Sequence, residues 1–323
     1  MSVTNCYTTI APGLLESRRF EVTDFGARMG IFDRFFHPNT VNEDFRVSPM
    51  RDNWYQASSY WPSSFALITT VNETGETNIG PYQLSFPFEV IGGRSFLVCS
   101  RQNSNADQHL KRAGKCALNF VEFDRKNLKQ IVNMGYPGQT TEEKMEDNPY
   151  TLINSPTPGR EADGKIYPHI LKEAFQVYEC TWDAEQPIRD DAKTPEYFVL
   201  RIDNILLKET WARNIEEGST RMPNMPIAFG FRDGAKFWFA EHKKPFWFPT
   251  PTDKGPKEES VLYEANRLDT EVEFTRDACK QLTGVPKPFI KTVLKGIIKQ
   301  AKTDGVSVVD RDYVVKINEE RNS

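Results

Sequence analysis

The chain has 323 residues, of which 38% are hydrophobic and 12% aromatic, so it carries enough apolar side chain for a sizeable core. Its 41 basic and 45 acidic residues leave a formal net charge of −4, which excludes a global field that would gather nucleic acid or an anionic membrane. We therefore expect a folded, soluble protein whose partners are small molecules or proteins, with neither nucleic acid nor a membrane among them.

The N-terminus lacks the basic and apolar regions of a secretion signal, and no run of about 18 apolar residues occurs. These features predict a cytoplasmic protein. The five cysteines are far apart and form no CxxC pair, so we expect no metal site, and those inside predicted strands are expected to be buried free thiols. They are Cys6, Cys99, Cys116, Cys180 and Cys279.

Residues 1–55 show little periodicity, and we expect them to form an N-terminal arm that packs on the main domain. After this arm, strand patterns dominate the chain. A β-branched apolar run followed by turn residues predicts a strand and a hairpin loop, and two further strands flank a short helix that ends at Gly114. The strands are predicted at 65–71, 94–100 and 116–123, and the helix at 107–113.

The predicted barrel domain spans 56–245. Its second part starts with a helix and an irregular segment. The segment is rich in Pro, Gly and charge and is typical of a lid, an insertion or an oligomer contact. Two long strands and a late hairpin follow. About seven strands with few helices favour a closed barrel over a doubly wound sheet. These elements are the helix 124–133, the irregular segment 135–165, strands 174–182 and 197–207, and hairpin 227–240.

A Pro-rich and charged stretch predicts a linker at 246–270, followed by a small helical domain at 271–323. Apolar residues between Phe289 and Ala301 fall at helical spacing with lysines mostly opposite, and Gly305 ends this helix. The lysine face could recruit an acidic redox partner, although such a face is more often simply solvated. Thr275 and Asp310 are predicted helix N-caps.

Several motifs of the barrel segment resemble those of the flavin reductase-like family. They are Ala66-Leu67-Ile68-Thr69-Thr70, the Gly75 turn, Asn78-Ile79-Gly80-Pro81-Tyr82, Leu97-Val98-Cys99-Ser100 and Ala117-Leu118-Asn119-Phe120-Val121. The resemblance covers about 61–240 and is most specific in its first third. It implies a mainly β protein with added helices, built on an FMN-binding split β-barrel, and a homodimer. Two departures occur: Gln83 replaces the usual Ser, and Asn105 to Gln108 replace a Lys-Asp-Thr signature.

The tail resembles a different module, the small helical domain at the C-terminus of a light-independent protochlorophyllide reductase subunit. This resemblance implies a docking or accessory unit and not pigment synthesis. The matching residues are Phe274, Ala278, Leu282, Val285, Pro286, Phe289, Ile290, Ala301 and Gly305, with Lys291 where Arg is common.

A flavin mononucleotide needs phosphate donors and a flat apolar slot, whereas the hydride chemistry belongs to the cofactor. The loop from Ser100 to Asn105 combines hydroxyl, amide and guanidinium donors beside a helix N-terminus, which suits an anion, although an ordinary polar loop would look alike. Predicted cofactor-binding residues here are Ser100, Arg101, Asn103 and Asn105, and those at the ring are Thr69, Thr70, Asn78, Ile79, Gly80, Pro81, Gln83 and Ser85.

Several of these residues can also be explained by structural roles that involve no ligand. A barrel corner would use Gly80 and Pro81 as readily as a flavin slot would. Asn119 lies in an apolar strand and is expected to form hydrogen bonds with neighbouring backbone groups. Trp238 and Trp247 are left out of the predicted site, because clustered aromatic residues more often belong to a core or a dimer contact. No catalytic residue is assigned, since the four histidines are scattered.

The sequence leaves two functional hypotheses open. The first is an FMN-dependent oxidoreductase, an NAD(P)H:flavin reductase in which NADH or NADPH delivers hydride to the flavin, with FMN preferred to FAD. The second is a non-catalytic FMN-binding electron carrier or redox-responsive module whose C-terminal helices dock a redox protein partner. No nicotinamide fingerprint is present, and its absence does not separate the two.

Overall fold

The computed structural model describes residues 42–51, 53–90, 93–186, 196–218, 221–231, 236–242, 244–246, 248 and 257–322. The chain divides into a unit Met1–Pro49 and a unit Met50–Ser323. Within the first unit only residues 42–49 are described, and these are exposed and form no helix or strand. Most of the predicted N-terminal arm therefore lies outside the described residues.

A seven-stranded antiparallel sheet forms the framework of the second unit. Its spatial order is β2-β1-β5-β8-β9-β4-β3. The members are β1 (Ala66–Val71), β2 (Thr77–Tyr82), β3 (Ser85–Pro87), β4 (Ser95–Ser100), β5 (Lys115–Val121), β8 (Ala174–Trp182) and β9 (Glu196–Leu207). The short strands β6 (Leu152–Ile153) and β7 (Ile170–Leu171) pair with each other beside this sheet. All strands predicted for the barrel are present.

The chain connection between β2 and β3 shows that this sheet is curled. The two strands lie at opposite edges of the sheet order, yet β2 ends at Tyr82 and β3 begins at Ser85. Three residue steps span about 11 Å at most, whereas the edges of a flat seven-stranded sheet lie about 29 Å apart. The edges must therefore approach each other, and the predicted split β-barrel is confirmed.

Both faces of strand β1 are buried, which explains its continuous apolar run. Leu67 packs in one buried cluster with Leu128 and Ile131, and its neighbour Ile68 packs in another with Leu110. Because successive side chains of a strand point to opposite faces, the two clusters cover the two sides of the sheet. The predicted burial of the strand thiols is confirmed for Cys116 and Cys180, which pair in register across β5 and β8, and is wrong for Cys99, which is only partly buried.

Five helices accompany the strands in the described part of the barrel segment. They are α1 (Trp54–Ala57), α2 (Asn105–Ala113), α3 (Arg125–Met134), α4 (Thr141–Glu146) and α5 (Glu209–Glu216). The predicted end of α2 at Gly114 is confirmed, since Gly114 has a φ of 67° and caps the helix. The segment predicted as irregular contains α4, whose capping box joins Thr140 and Glu143.

A hairpin of β10 (Pro226–Phe231) and β11 (Phe237–Glu241) follows the seven-stranded sheet, as the sequence predicts. Its turn lies outside the described residues. Ala228 in β10 exchanges both backbone hydrogen bonds with Ser63, at 2.8 and 3.0 Å. The hairpin is thereby fixed to the segment that precedes β1.

The C-terminal segment has its own hydrophobic core, built around buried residues such as Leu294, Ile297 and Val314. Its elements are α6 (Glu258–Leu268), β12 (Glu273–Phe274), α7 (Arg276–Gln281), α8 (Lys287–Asp304), β13 (Val308–Val309) and α9 (Arg311–Asn322). The segment expected as a linker thus includes α6, whose Val261 and Ala265 belong to this core. The short parallel pairing of β12 with β13 was not predicted.

Helix caps in this C-terminal segment follow the sequence. Thr275 accepts a hydrogen bond from the Ala278 amide, and Asp310 accepts one from the Tyr313 amide at 2.9 Å. Both side chains therefore satisfy amides of a first helical turn. No helix among the described ranges is long and apolar enough to cross a membrane.

Asn119 is fully buried in β5 and has the backbone role that the sequence predicts. Its Nδ2 donates to the carbonyl oxygens of Leu67 and Ala117 at 3.0 and 3.2 Å, and its Oδ1 accepts from the Leu171 amide at 2.9 Å. This one side chain links β1, β5 and β7. Its burial is tolerated because both ends of the amide are satisfied.

We expect Asn119→Ala to lower the free energy of unfolding by about 2–4 kcal/mol, since it leaves the Leu171 amide buried without an acceptor and opens a small cavity. Urea denaturation monitored by circular dichroism measures this change. The control is Asn127→Ala, because the Asn127 side chain in α3 makes no hydrogen bond within the described residues and Ala favours helix. Equal stability of both variants would contradict the proposed role of Asn119.

Candidate functional site

A cleft of about 940 Å³ opens where the two edges of the curled sheet meet. The end of β2 contributes Gly80 and Pro81, and the end of β4 contributes Cys99 and Arg101. Helices α1, α3 and α4 and the β10–β11 hairpin complete its walls. Of the twelve predicted cofactor residues, four line this cleft, namely Gly80, Pro81, Gln83 and Arg101.

Two cations line the cleft close enough for one charge to act on the other. Arg101 is exposed and Lys144 of α4 is half-buried, and neither side chain makes an ion pair or hydrogen bond within the described residues. Burial, and then the nearby Arg101 charge, lower the pKa of Lys144 below its usual range. Two unpaired cations that repel each other in a partly desolvated cleft form a natural site for a multiply charged anion.

The N-terminus of α2, beside Arg101, is capped by the protein itself. Ser104 accepts a hydrogen bond from the Asp107 amide at 3.2 Å, and the Asp107 carboxylate accepts one from the Asn103 amide at 2.8 Å. Asn103, at a φ of 60°, therefore directs its amide into the loop. The amide of Asn103, a predicted phosphate-binding residue, and that of Asp107 are thus engaged internally, and the cationic side chains carry the anion-binding character.

Three hydroxyl groups join the ends of β2 and β4. The Tyr82 hydroxyl lies 3.0 Å from Ser100 Oγ and 3.2 Å from Ser104 Oγ, and the two serine oxygens are 2.9 Å apart. Burial raises the pKa of Tyr82, so its hydroxyl stays protonated at neutral pH. Ser100 consequently serves this junction rather than standing free in the cleft.

Gln83 forms a clamp with Gln56 of α1. Gln56 Nε2 donates to Gln83 Oε1 at 2.8 Å, Gln83 Nε2 donates to the Ala228 carbonyl at 3.2 Å, and Gln56 Oε1 accepts from the Phe231 amide at 3.3 Å. Gly230 has a φ of 74°, and a Cβ there would lie 2.2 Å from Gln56 Nε2. The glycine is thus required for the clamp, which ties α1 and the hairpin to the β2–β3 connection.

Aromatic side chains also line the cleft. Trp54 and Trp61 come from the segment before β1, and Phe231, Phe237 and Phe239 come from the hairpin. The Phe237 and Phe239 rings are 4.7 Å apart between centroids. A planar apolar ligand could pack against these rings.

A thiol and a phenol also line the cleft. Cys99 of β4 is paired in register with Tyr197 of β9. Burial raises the pKa of the Cys99 thiol, so it is neutral at physiological pH. Cys99 is therefore a half-buried weak hydrogen-bonding group of the wall and not a thiolate.

The remaining predicted site residues do not line the cleft. Thr69, Ile79 and Ser85 are buried in the sheet, where Ser85 donates to the Tyr82 carbonyl at 3.2 Å. Asn78 is also buried, and its Oδ1 accepts from Asn105 Nδ2 at 3.2 Å. Thr70 is buried as well, with its hydroxyl 3.0 Å from His109 Nδ1. Asn103 lies in the capping loop described above.

The sequence analysis missed several cleft residues. Lys144 lies in the segment interpreted as irregular, and no local pattern marks it as close to Arg101. Trp54 and Trp61 lie close to the boundary between the predicted arm and the barrel domain. Two tryptophans next to a predicted barrel could have indicated an aromatic binding surface. Trp238, which was left out of the predicted site, is half exposed and does not line the cleft, and Trp247 lies outside the described residues.

His109 supports the strand beneath the cleft in its neutral form. Burial, and then the charge of Arg112, lower its pKa to about 4. The folded state therefore binds fewer protons than the unfolded state, in which the pKa of histidine is about 6.5. Stability from this group is present above pH 6.5 and is lost as the pH falls toward 4.

We expect the free energy of unfolding to fall between pH 6.5 and pH 4.5 more steeply in the wild type than in His109→Gln. Glutamine keeps a hydrogen-bonding partner for Thr70 but does not titrate, so the difference isolates the histidine. Urea denaturation of both proteins at the two pH values provides the test. Parallel losses in the two proteins would show that His109 is not the group responsible.

Comparison with known proteins gives matches among solved structures. No protein-family model matches the sequence, and no curated protein matches it either. The 2-nitrobenzoate 2-nitroreductase of Pseudomonas fluorescens has a TM-score of 0.48 and 17% identity, covering 64% of this chain and 93% of that one. Nitrilotriacetate monooxygenase component B of Bacillus cereus has a TM-score of 0.47 and 17% identity, covering 66% of this chain and 98% of that one. An FMN-binding protein of Thermus thermophilus has a TM-score of 0.46 and 16% identity, covering 64% of this chain and 99% of that one.

Proposed function

We propose that the cleft binds FMN and that the protein is an FMN-dependent oxidoreductase whose flavin is reduced by NADH or NADPH. The observation that carries the proposal is that Arg101 and Lys144, two cations without ion pairs among the described residues, line the same cleft as several aromatic side chains. A phosphate monoester carries up to two negative charges, which suits two cations, and an isoalloxazine ring is planar and apolar over most of its surface.

Residues that line the cleft would each have a role in holding this ligand. Arg101 and Lys144 would hold the phosphate, and the loop around Ser104 would border the ribityl chain. Gly80 and Pro81 of β2 would contact the flavin through their place in the cleft wall, and the missing Cβ of Gly80 leaves room for the Tyr82 ring, 3.0 Å from where a Cβ would stand. When bound, the flavin would accept and pass on electrons, while the protein binds it, orients it and excludes water.

A second candidate function is an electron carrier that docks a protein partner. It is favoured by the separate hydrophobic core of the C-terminal segment and by the exposed Lys287, Lys295 and Lys299 on α8. Neighbouring lysines on this segment are already paired, Lys291 with Glu264 and Lys302 with Asp269. An acidic surface on a redox protein would complement the three that remain.

Anaerobic stopped-flow mixing of the FMN-loaded protein with NADH or NADPH distinguishes the two functions. We expect the oxidised flavin absorbance to bleach at a rate that saturates with nucleotide concentration. Absence of bleaching at millimolar concentrations of both nucleotides would refute the reductase and leave the carrier. A protein that fails to bind FMN at all would refute both.

We expect Arg101→Ala and Lys144→Ala each to weaken FMN binding by about 1.5–3 kcal/mol, roughly 10- to 150-fold, because each removes a charge-assisted contact to phosphate. Flavin fluorescence quenching gives the dissociation constants. Riboflavin, which lacks the phosphate, serves as the control ligand, and its affinity is expected to change little. Lys172→Ala removes an exposed lysine that does not line the cleft and provides the control variant. Equal losses for FMN and riboflavin would contradict the assigned phosphate site.

A further inference from the structure

Two of the predicted cofactor residues, Asn78 and Asn105, are joined to each other and do not line the cleft. Asn78 of β2 is 1% exposed, and Asn105, the first residue of α2, is partly buried. Asn105 Nδ2 donates to Asn78 Oδ1 at 3.2 Å and to the Gln139 carbonyl at 3.3 Å. These two hydrogen bonds, the amide bridge, connect β2, α2 and the segment that leads into α4.

The amide bridge holds the chain at the point where α4 begins. Helix α4 has only six residues, and a helix this short depends on contacts with the rest of the protein for its position. Gln139 directly precedes the N-cap residue Thr140. Thr141, in the first turn, is buried with its hydroxyl 3.5 Å from Asn78 Oδ1. The start of α4 is therefore fixed to β2 and α2 through side-chain amides.

The same bridge connects the two segments that carry the cleft cations. Arg101 lies in the loop that precedes α2, shortly before Asn105, and Lys144 lies in α4, shortly after Gln139. The charge of Arg101 acts on Lys144, and within the described residues no ion pair or hydrogen bond holds either side chain. Because like charges repel, the closeness of the two cations depends on how firmly their backbone segments are joined.

We propose that Asn105 is a positioning residue for anion binding, which acts by holding α4 through the amide bridge so that Lys144 and Arg101 can bind one phosphate group together. Asn105 itself would not touch the ligand. The inference rests on the proposed function, in which the phosphate belongs to FMN. Asn78 would be the buried anchor of the bridge, since its Oδ1 accepts the hydrogen bond from Asn105.

A double-mutant cycle with Lys144 tests this role. Asn105→Ala is expected to raise the dissociation constant for FMN on the order of tenfold, because Lys144 loses its fixed place. The constant for riboflavin, which lacks the phosphate, is expected to change less than about twofold. In the Lys144→Ala background, Asn105→Ala is expected to add less than about twofold for FMN, since the group through which it acts is gone. Flavin fluorescence quenching measures all of these constants.

Asn133→Ala is the matched control. Asn133 is an exposed asparagine of α3 that donates to Gln130 Oε1 at 3.1 Å and does not line the flavin cleft. Both dissociation constants are expected to stay at their wild-type values in this variant, and melting temperatures verify that each variant folds. An unchanged affinity for FMN in Asn105→Ala would overturn the positioning role. Equal losses for FMN and riboflavin, or full additivity with Lys144→Ala, would also overturn it, because a merely structural residue would behave in this way.

Inorganic phosphate separates this inference from the proposed function, because it tests the cations without a flavin. At constant ionic strength, with chloride as the reference anion, phosphate is expected to raise the melting temperature of the wild-type chain more than that of Asn105→Ala. An equal effect of phosphate on both proteins would overturn the role of Asn105. If the wild type fails to bind FMN, the proposed function fails, and the phosphate measurement still decides whether Asn105 positions the cations.

Discussion

The short connection from Tyr82 to Ser85 is the constraint on which the rest of the architecture depends. It joins strands at opposite edges of a seven-stranded sheet, and the sheet can satisfy it only by curling. Curling turns one face of every strand inward and makes a barrel with a single split. The chain then needs contacts that hold the split at a fixed width, and the hydroxyl cluster of Tyr82, Ser100 and Ser104 supplies them.

The same constraint places the candidate site. The ends of β2 and β4 are brought together at the split, so the backbone at Gly80 and the side chain of Arg101 face one cleft although neither strand pairs with the other. The clamp of Gln56 and Gln83 then fixes the aromatic hairpin against this opening. A site built on strand ends and held by such contacts is preorganised, which lowers the conformational cost of binding a rigid ring.

The sequence predicts the local elements of this fold well and the cleft only in part. Alternation, turn chemistry and caps are local signals, which is why the strands, Gly114, Thr275 and the backbone role of Asn119 could be predicted. Thr69 and Thr70 were correctly predicted to lie on a strand, but both faces of this strand are buried, so neither side chain lines the cleft. Lys144 could not be predicted as a neighbour of Arg101, because their proximity arises from the packing of α4 on β2 and not from any local pattern.

The unpaired cations explain why ligand binding and stability should be coupled in this protein. Lys144 is held half-buried beside Arg101 at a cost that the lowered pKa of Lys144 reflects, and nothing among the described residues offsets that cost. A bound anion would remove the repulsion and so add its binding free energy to the stability of the folded state. The cleft therefore carries positive charge that a bound anion would offset, whereas Cys99 and Tyr82 in the same cleft are neutral.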